Sequence, residues 1–112
     1  MPTIQTLDIL WSKIIRKLFP VCCRCKMAKS TTAAHIYGKK IAPGLRHDVD
    51  NGLGMCMDCH EICDHGANRQ EILDLARSIH GVVKFEALSS RRYEDHKYRD
   101  LEQVEQELIS KL

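Results

Sequence analysis

The 112-residue sequence predicts an α+β fold: a small core of a two-stranded antiparallel hairpin plus a helix, framed by two cysteine pairs, with an N-terminal helix before it and C-terminal helices after it. Three observations predict this. Leu7, Leu10, Trp11, Ile14, Ile15 and Leu18 recur at helical spacing. Cys22-x-x-Cys25 and Cys56-x-x-Cys59 take the spacing of thiolate metal ligands. Between the pairs lie two short stretches of strand character, Thr32 to Tyr37 and Gly52 to Cys56. A chain of this length holds one domain, 1–112, with a limited core that a metal staple would support.

The elements follow in order. Residues 1–20 form an amphipathic helix with Asp8 in its first turn and Pro20 beyond its end. Its apolar stripe packs on the core, so Lys13, Arg16 and Lys17 face outward. Residues 21–66 form the core. Each cysteine pair can sit on a tight turn, and two such turns close a four-sulfur cage suited to structural Zn²⁺, held by Cys22, Cys25, Cys56 and Cys59. The strands are separated by a polar loop containing Gly38, Pro43 and Gly44, which fits neither period. The second cysteine pair opens a short helix that runs to His65 and ends at Gly66. In 67–112, Asn68 and Glu71 make a capping-box pattern before Ile72, Leu75, Ala76 and Ile79, and Gly81 stops that helix. A last helix from about Asp100 carries Leu101, Val104, Leu108 and Leu112. This stripe is a candidate homodimer contact, the alternative being packing on its own domain.

The formal charge of +2 hides an asymmetry. From Ile9 to His47 there is no acid, while Lys13, Arg16, Lys17, Arg24, Lys26, Lys29, Lys39, Lys40 and Arg46 are all basic; from Asp48 onward fourteen acids face eight bases. The first part is therefore expected to touch a polyanion. Six cysteines raise the question of a secreted disulfide scaffold, but the opening Met-Pro-Thr-Ile-Gln carries no signal-peptide pattern and four of the six take metal spacing. The expectation is a reduced, cytoplasmic protein with spare thiols at Cys23 and Cys63. No apolar run reaches membrane-spanning length.

Within the cysteine frame stand His35, Asn51 and His60. Taken singly, His35 is a commonplace strand histidine and Asn51 before Gly52 a turn residue. On the metal helix, however, His60 and Asp64 lie four residues apart, on one face, where an imidazole nitrogen and a carboxylate can share a cation; His65 is one position further round and can replace or join Asp64. His47, His80 and His96 have no partner spacing and read as surface or core histidines.

Jointly these residues resemble the HNH endonucleases of the ββα-metal (His-Me finger) class, in particular the small phage and prophage type with a four-cysteine zinc. The carrying segments are Leu10-Trp11-Ser12-Lys13, Ala34-His35-Ile36-Tyr37-Gly38-Lys39, Leu45-Arg46-His47-Asp48, Asp50-Asn51-Gly52 and Met55-Cys56-Met57-Asp58-Cys59-His60. Fifteen residues separate His35 from Asn51 and eight separate Asn51 from His60, as in that family. The likeness runs from the first helix to Gly66.

The resemblance implies hydrolysis of phosphodiester bonds in double-stranded DNA, by nicking or full cleavage. His35 would be the general base, Asn51 would hold the loop that orients it, and His60 would bind a catalytic Mg²⁺ or Mn²⁺ together with Asp64 or His65. Many members carry Asp or His just before the base as a further ligand, whereas this chain has Ala34. The cation is then held from the helix, or an acid such as Asp48 completes the site. Failing either, activity is weak, and the alternative function is a catalytically weak or inactive zinc-containing DNA-binding module that keeps the fold. Arg24, Lys39, Lys40 and Arg46 are the expected phosphate contacts.

Overall fold

Thr3 caps the first helix, α1 (Ile4–Leu18): its hydroxyl accepts from the Thr6 amide, and the Thr6 hydroxyl accepts from the Thr3 amide. This reciprocal cap starts the helix earlier than its apolar stripe suggests. Asp8 therefore lies on the second turn, not the first. The computed structural model describes residues 1–64, 69–93 and 100–112, and among these it is an α+β fold with five helices and a two-stranded antiparallel sheet. None of these helices is long and apolar enough to cross a membrane.

After Pro20 the chain makes a tight knuckle. Val21 bridges Lys29, the Cys22 amide bonds the Ala28 carbonyl at 2.9 Å, and the Lys26 amide returns to the Cys22 carbonyl at 3.0 Å. Closing this turn puts Lys26 at φ 60°, the left-handed region. The chain then enters β1 (Thr32–His35), which pairs with β2 (Gly52–Met55) in the register Thr32 with Met55 and His35 with Gly52. Both strands fall within the expected segments, each one or two residues shorter at its C-terminal end.

Strand alternation gives the sheet two covered faces. Ala34, Leu53 and Met55 enter a buried cluster with Ile36, Cys63, Ile72, Ala76 and Leu88. On the other face Ala33 packs against the cluster of Leu7, Trp11, Ile14, Ile15 and Leu108. The approach of α1 leaves no room for side chains on this face of β2: a Cβ at Gly52 would stand 2.6 Å from Ile15 Cδ1, and one at Gly54 2.7 Å from the Phe19 carbonyl oxygen.

The 36–51 connection is irregular, as its mixed composition implies, with two 3₁₀ turns at Pro43–Leu45 and Val49–Asn51. Beyond β2, Cys56 N-caps α2 (Met57–Cys63), and Asp64 is its C-cap. The end expected at His65 and Gly66, and the Asn68 cap, lie outside the described residues. Helix α3 (Arg69–His80) ends at Gly81, φ 85°, as expected, but a further helix, α4 (Val82–Arg91), starts at once with Gly81 as its N-cap. Helix α5 (Leu101–Ile109) is capped by Asp100 and lays Leu101, Val104 and Leu108 on α1. The leucine stripe considered for dimerisation is thus engaged within the chain.

Candidate metal centre and active site

The two cysteine pairs converge. The sulfurs of Cys22, Cys25, Cys56 and Cys59 all lie within 4.8 Å of one another, close enough to hold a structural metal such as zinc. A tetrahedron with Zn–S bonds of about 2.3 Å needs sulfurs roughly 3.8 Å apart, which this cluster meets with little adjustment. The electrostatics agree with such a cage. Burial disfavours the Cys22 thiolate, but hydrogen bonds from the Cys25, Cys56 and Arg24 backbone outweigh it and bring the pKa to about 6. Burial pushes the Cys59 thiol up to about 12, reinforced by the neighbouring cysteines. A divalent cation removes that conflict by deprotonating its ligands outright. The other two thiols, Cys23 and Cys63, are buried outside the cage.

Arg24, expected to contact phosphate, belongs to this centre: its Nη1 lies 3.5 Å from Cys59 Sγ and its Nε 2.5 Å from Glu71 Oε1. It ties the knuckle to α3. Glu71 serves as the other end of that tie.

His35 is held on two sides. Its Nε2 lies 2.8 Å from the Arg46 carbonyl oxygen; a carbonyl can only accept, so Nε2 carries the proton and Nδ1 keeps its lone pair. The Trp11 indole stacks on the imidazole with centroids 4.1 Å apart and planes 10° from parallel. Burial pushes the His35 pKa down to about 4, against the stabilising bond to the Arg46 carbonyl. The ring is neutral at ordinary pH.

Asn51 is fully buried and spans the mouth of the loop. Its Nδ2 donates to the Tyr37 and Leu45 carbonyls at 3.0 and 3.1 Å, and its Oδ1 accepts from the Tyr37 amide at 2.9 Å. It locks the start of the loop to its end, next to the Arg46 carbonyl that orients His35. The expected loop-holding geometry is present.

On α2, His60 Nδ1 lies 3.0 Å from Thr32 Oγ1, and that hydroxyl gives its own proton to the Met55 carbonyl at 2.9 Å. Thr32 therefore accepts from His60 Nδ1. The other nitrogen, Nε2, faces Asp64 Oδ2 at 3.2 Å, so the i, i+4 pair expected from the sequence forms. His65 lies outside the described residues. Asp48, the loop acid considered as a further ligand, caps the second 3₁₀ turn and pairs with Arg91 at 2.6 Å.

One cavity of about 510 Å³ gathers these groups: His35, His60 and Asp64 line it with Asp8, Trp11, Lys39 and Arg69 among others. From β1, Ala33 joins His35 on its wall and Ala34 does not. Ala34 is fully buried in the core on the opposite face, so a side chain at position 34 points away from the cavity.

Two residues of this site, Arg69 and Asp8, carry no motif of their own, and Trp11 takes a role that its segment does not announce. Arg69 donates through Nη2 to the Ile36 carbonyl at 2.6 Å and brings Nη1 to 3.7 Å from Asp64. Asp8 grips Arg46 with both oxygens, at 2.9 and 2.6 Å, and also takes His47 Nε2 at 2.7 Å. Arg46 is thereby committed to Asp8, and His47 is a buried core histidine. In the sequence Trp11 reads as a member of the α1 stripe and of the Leu10-Trp11-Ser12-Lys13 segment, neither of which gives it a role at His35. A signal for Asp8 exists: it is the single acid among residues 1–47. Lys39 lines the cavity and Lys40 is exposed beside it. No family model, curated protein or solved structure matches the chain.

Proposed function

We propose that the chain is a metal-dependent endonuclease of the HNH, ββα-metal type that hydrolyses phosphodiester bonds of double-stranded DNA. The observation that carries this reading is a neutral imidazole, His35, with Nε2 committed to a backbone carbonyl and Nδ1 bearing its lone pair, lining the same cavity as the His60 and Asp64 pair.

Hydrolysis of a phosphodiester needs a group to take the proton of the attacking water, positive charge for the phosphate, and fixed geometry. His35 Nδ1 takes the proton. The Trp11 stack and the Arg46 carbonyl stop the ring from turning away, and Asn51 holds the neighbouring Leu45 carbonyl, one residue before it. Lys39 and Arg69 bring positive charge to the cavity wall. On α1, Ser12 lines the cavity and the exposed Lys13 and Arg16 continue from it, a surface suited to neighbouring phosphates.

The donor set also fits a hard divalent ion. Two cis ligands of an octahedral ion bound at about 2.1 Å stand roughly 3.0 Å apart, against 3.2 Å between His60 Nε2 and Asp64 Oδ2. Thr32 fixes the His60 tautomer from behind, as partners of ligating histidines do. Mg²⁺ or Mn²⁺ held there would supply charge to the phosphate and to the leaving oxygen. Two protein ligands leave the remaining positions to water and substrate, so binding is expected mainly together with DNA.

Supercoiled plasmid tests the reading. Nicking should require Mg²⁺ or Mn²⁺, stop with chelator, and be lost in His60→Ala while zinc content and helix content stay unchanged. Retarded DNA without any nicking under any divalent ion would sink the nuclease reading in favour of a DNA-binding module.

A further inference from the structure

The Arg46 carbonyl that accepts from His35 belongs to the peptide linking Arg46 to His47, and both flanking side chains end on one carboxylate. Asp8 Oδ1 takes Arg46 Nε at 2.9 Å and His47 Nε2 at 2.7 Å, and Oδ2 takes Arg46 Nη2 at 2.6 Å. A planar fork on one side and an imidazole on the other leave this peptide little freedom to rotate. The chain is held on both sides of it too: the preceding Leu45 carbonyl accepts from Asn51 Nδ2 at 3.1 Å, and the Asp48 carbonyl, two residues on, accepts from Trp11 Nε1 at 2.8 Å. We propose that Asp8 is a positioning residue for His35, fixing the Arg46–His47 peptide so that its carbonyl holds Nε2–H and Nδ1 alone is left to accept a proton.

Two other roles for Asp8 are less well supported by the geometry. A surface ion pair would contribute little and would not need a second donor from a buried histidine. His47 is 4% exposed and bonds the same oxygen as Arg46 Nε. As a cation ligand Asp8 is poorly suited, because both of its oxygens already accept from Arg46. The consequence for turnover rests on the nuclease reading; the consequence for the His35 ring does not.

Long-range proton–nitrogen correlation spectra of the imidazoles in the zinc-loaded chain provide the test. The wild-type protein should show His35 as one tautomer with the proton on Nε2. In Asp8→Asn, folded and with unchanged zinc content, the two tautomers should mix, and Asp8→Glu should restore part of the single state. With plasmid as substrate, Asp8→Asn should lower turnover at least about tenfold while KM for DNA changes little, because a misaligned base costs rate rather than binding. A folded Asp8→Asn protein with the same single tautomer overturns the proposal. If Asp8→Asn does not fold, Arg46→Lys, which keeps the charge and loses the fork, is read in the same way: mixed tautomers support the positioning role, and an unchanged single tautomer overturns it. A wild-type chain that never nicks, with a tautomer that still depends on Asp8, removes the nuclease reading and supports the positioning role.

Discussion

An imidazole between an indole face and a backbone carbonyl loses most of its water, which is why His35 titrates near pH 4. The linkage has a definite sign. The unfolded chain binds a proton at about 6.5 and the folded one does not until about 4, so the stability that His35 contributes is complete above 6.5 and lost as pH falls through that window. Unfolding free energies from urea curves at pH 7 and 4.5 should fall more in the wild type than in His35→Gln, by on the order of 2 kcal/mol; equal falls would contradict the burial account. Lys26 offers a second test. A β-branched side chain strongly resists φ 60°, so Lys26→Val should cost about 1–2 kcal/mol, while Lys26→Gly should be close to neutral in the same denaturation. At this scale the sequence disclosed residues whose chemistry is carried by spacing: the four cysteines, and the His60 and Asp64 pair. Asp8 and Arg69 stayed hidden because Arg46 and the Ile36 carbonyl, which they bind, lie 38 and 33 residues away and no local period records such contacts.

The elements show why position matters more than identity. Ala34 looks in the sequence like a gap in the ligand set, yet alternation along β1 turns it into the core and presents Ala33 and His35 to the cavity. The same alternation places Gly52 and Gly54 under α1. Gly54→Ala must push against the Phe19 backbone, which cannot rotate away as a side chain would, so it should lower stability by about 1–3 kcal/mol in denaturant unfolding. An unchanged midpoint would mean that α1 sits farther from the sheet. Both strands and α2 were legible from their residues, because turn signals and the second cysteine pair bound them. Helix α4 was not: Val82 and Val83 open it, Ser89 and Ser90 lie near its end, and Gly81 serves at once as the stop of α3 and the cap of α4. A glycine read as a terminator gives no sign that a helix begins beyond it.

The molecule joins a four-cysteine cluster that could hold a metal to a candidate catalytic cavity through one helix. Cys56 and Cys59 anchor the start of α2, and His60 follows directly, so a metal in the cage fixes where His60 points. Metal analysis after dialysis should find about one zinc per chain, and its removal by chelator should unfold the core, since binding energy of this kind is folding energy. A folded, metal-free chain would contradict this. The charge asymmetry also acts at this scale: the acid-poor N-terminal half carries α1, the knuckle and the cavity lysine, so affinity for DNA should fall steeply with salt. The central claim is that His35 is the base of a metal-dependent nuclease. Its most direct test is the plasmid nicking rate of His35→Ala against wild type with saturating Mn²⁺: a loss of about 10²–10⁴-fold with DNA binding retained is predicted, and equal rates would contradict it.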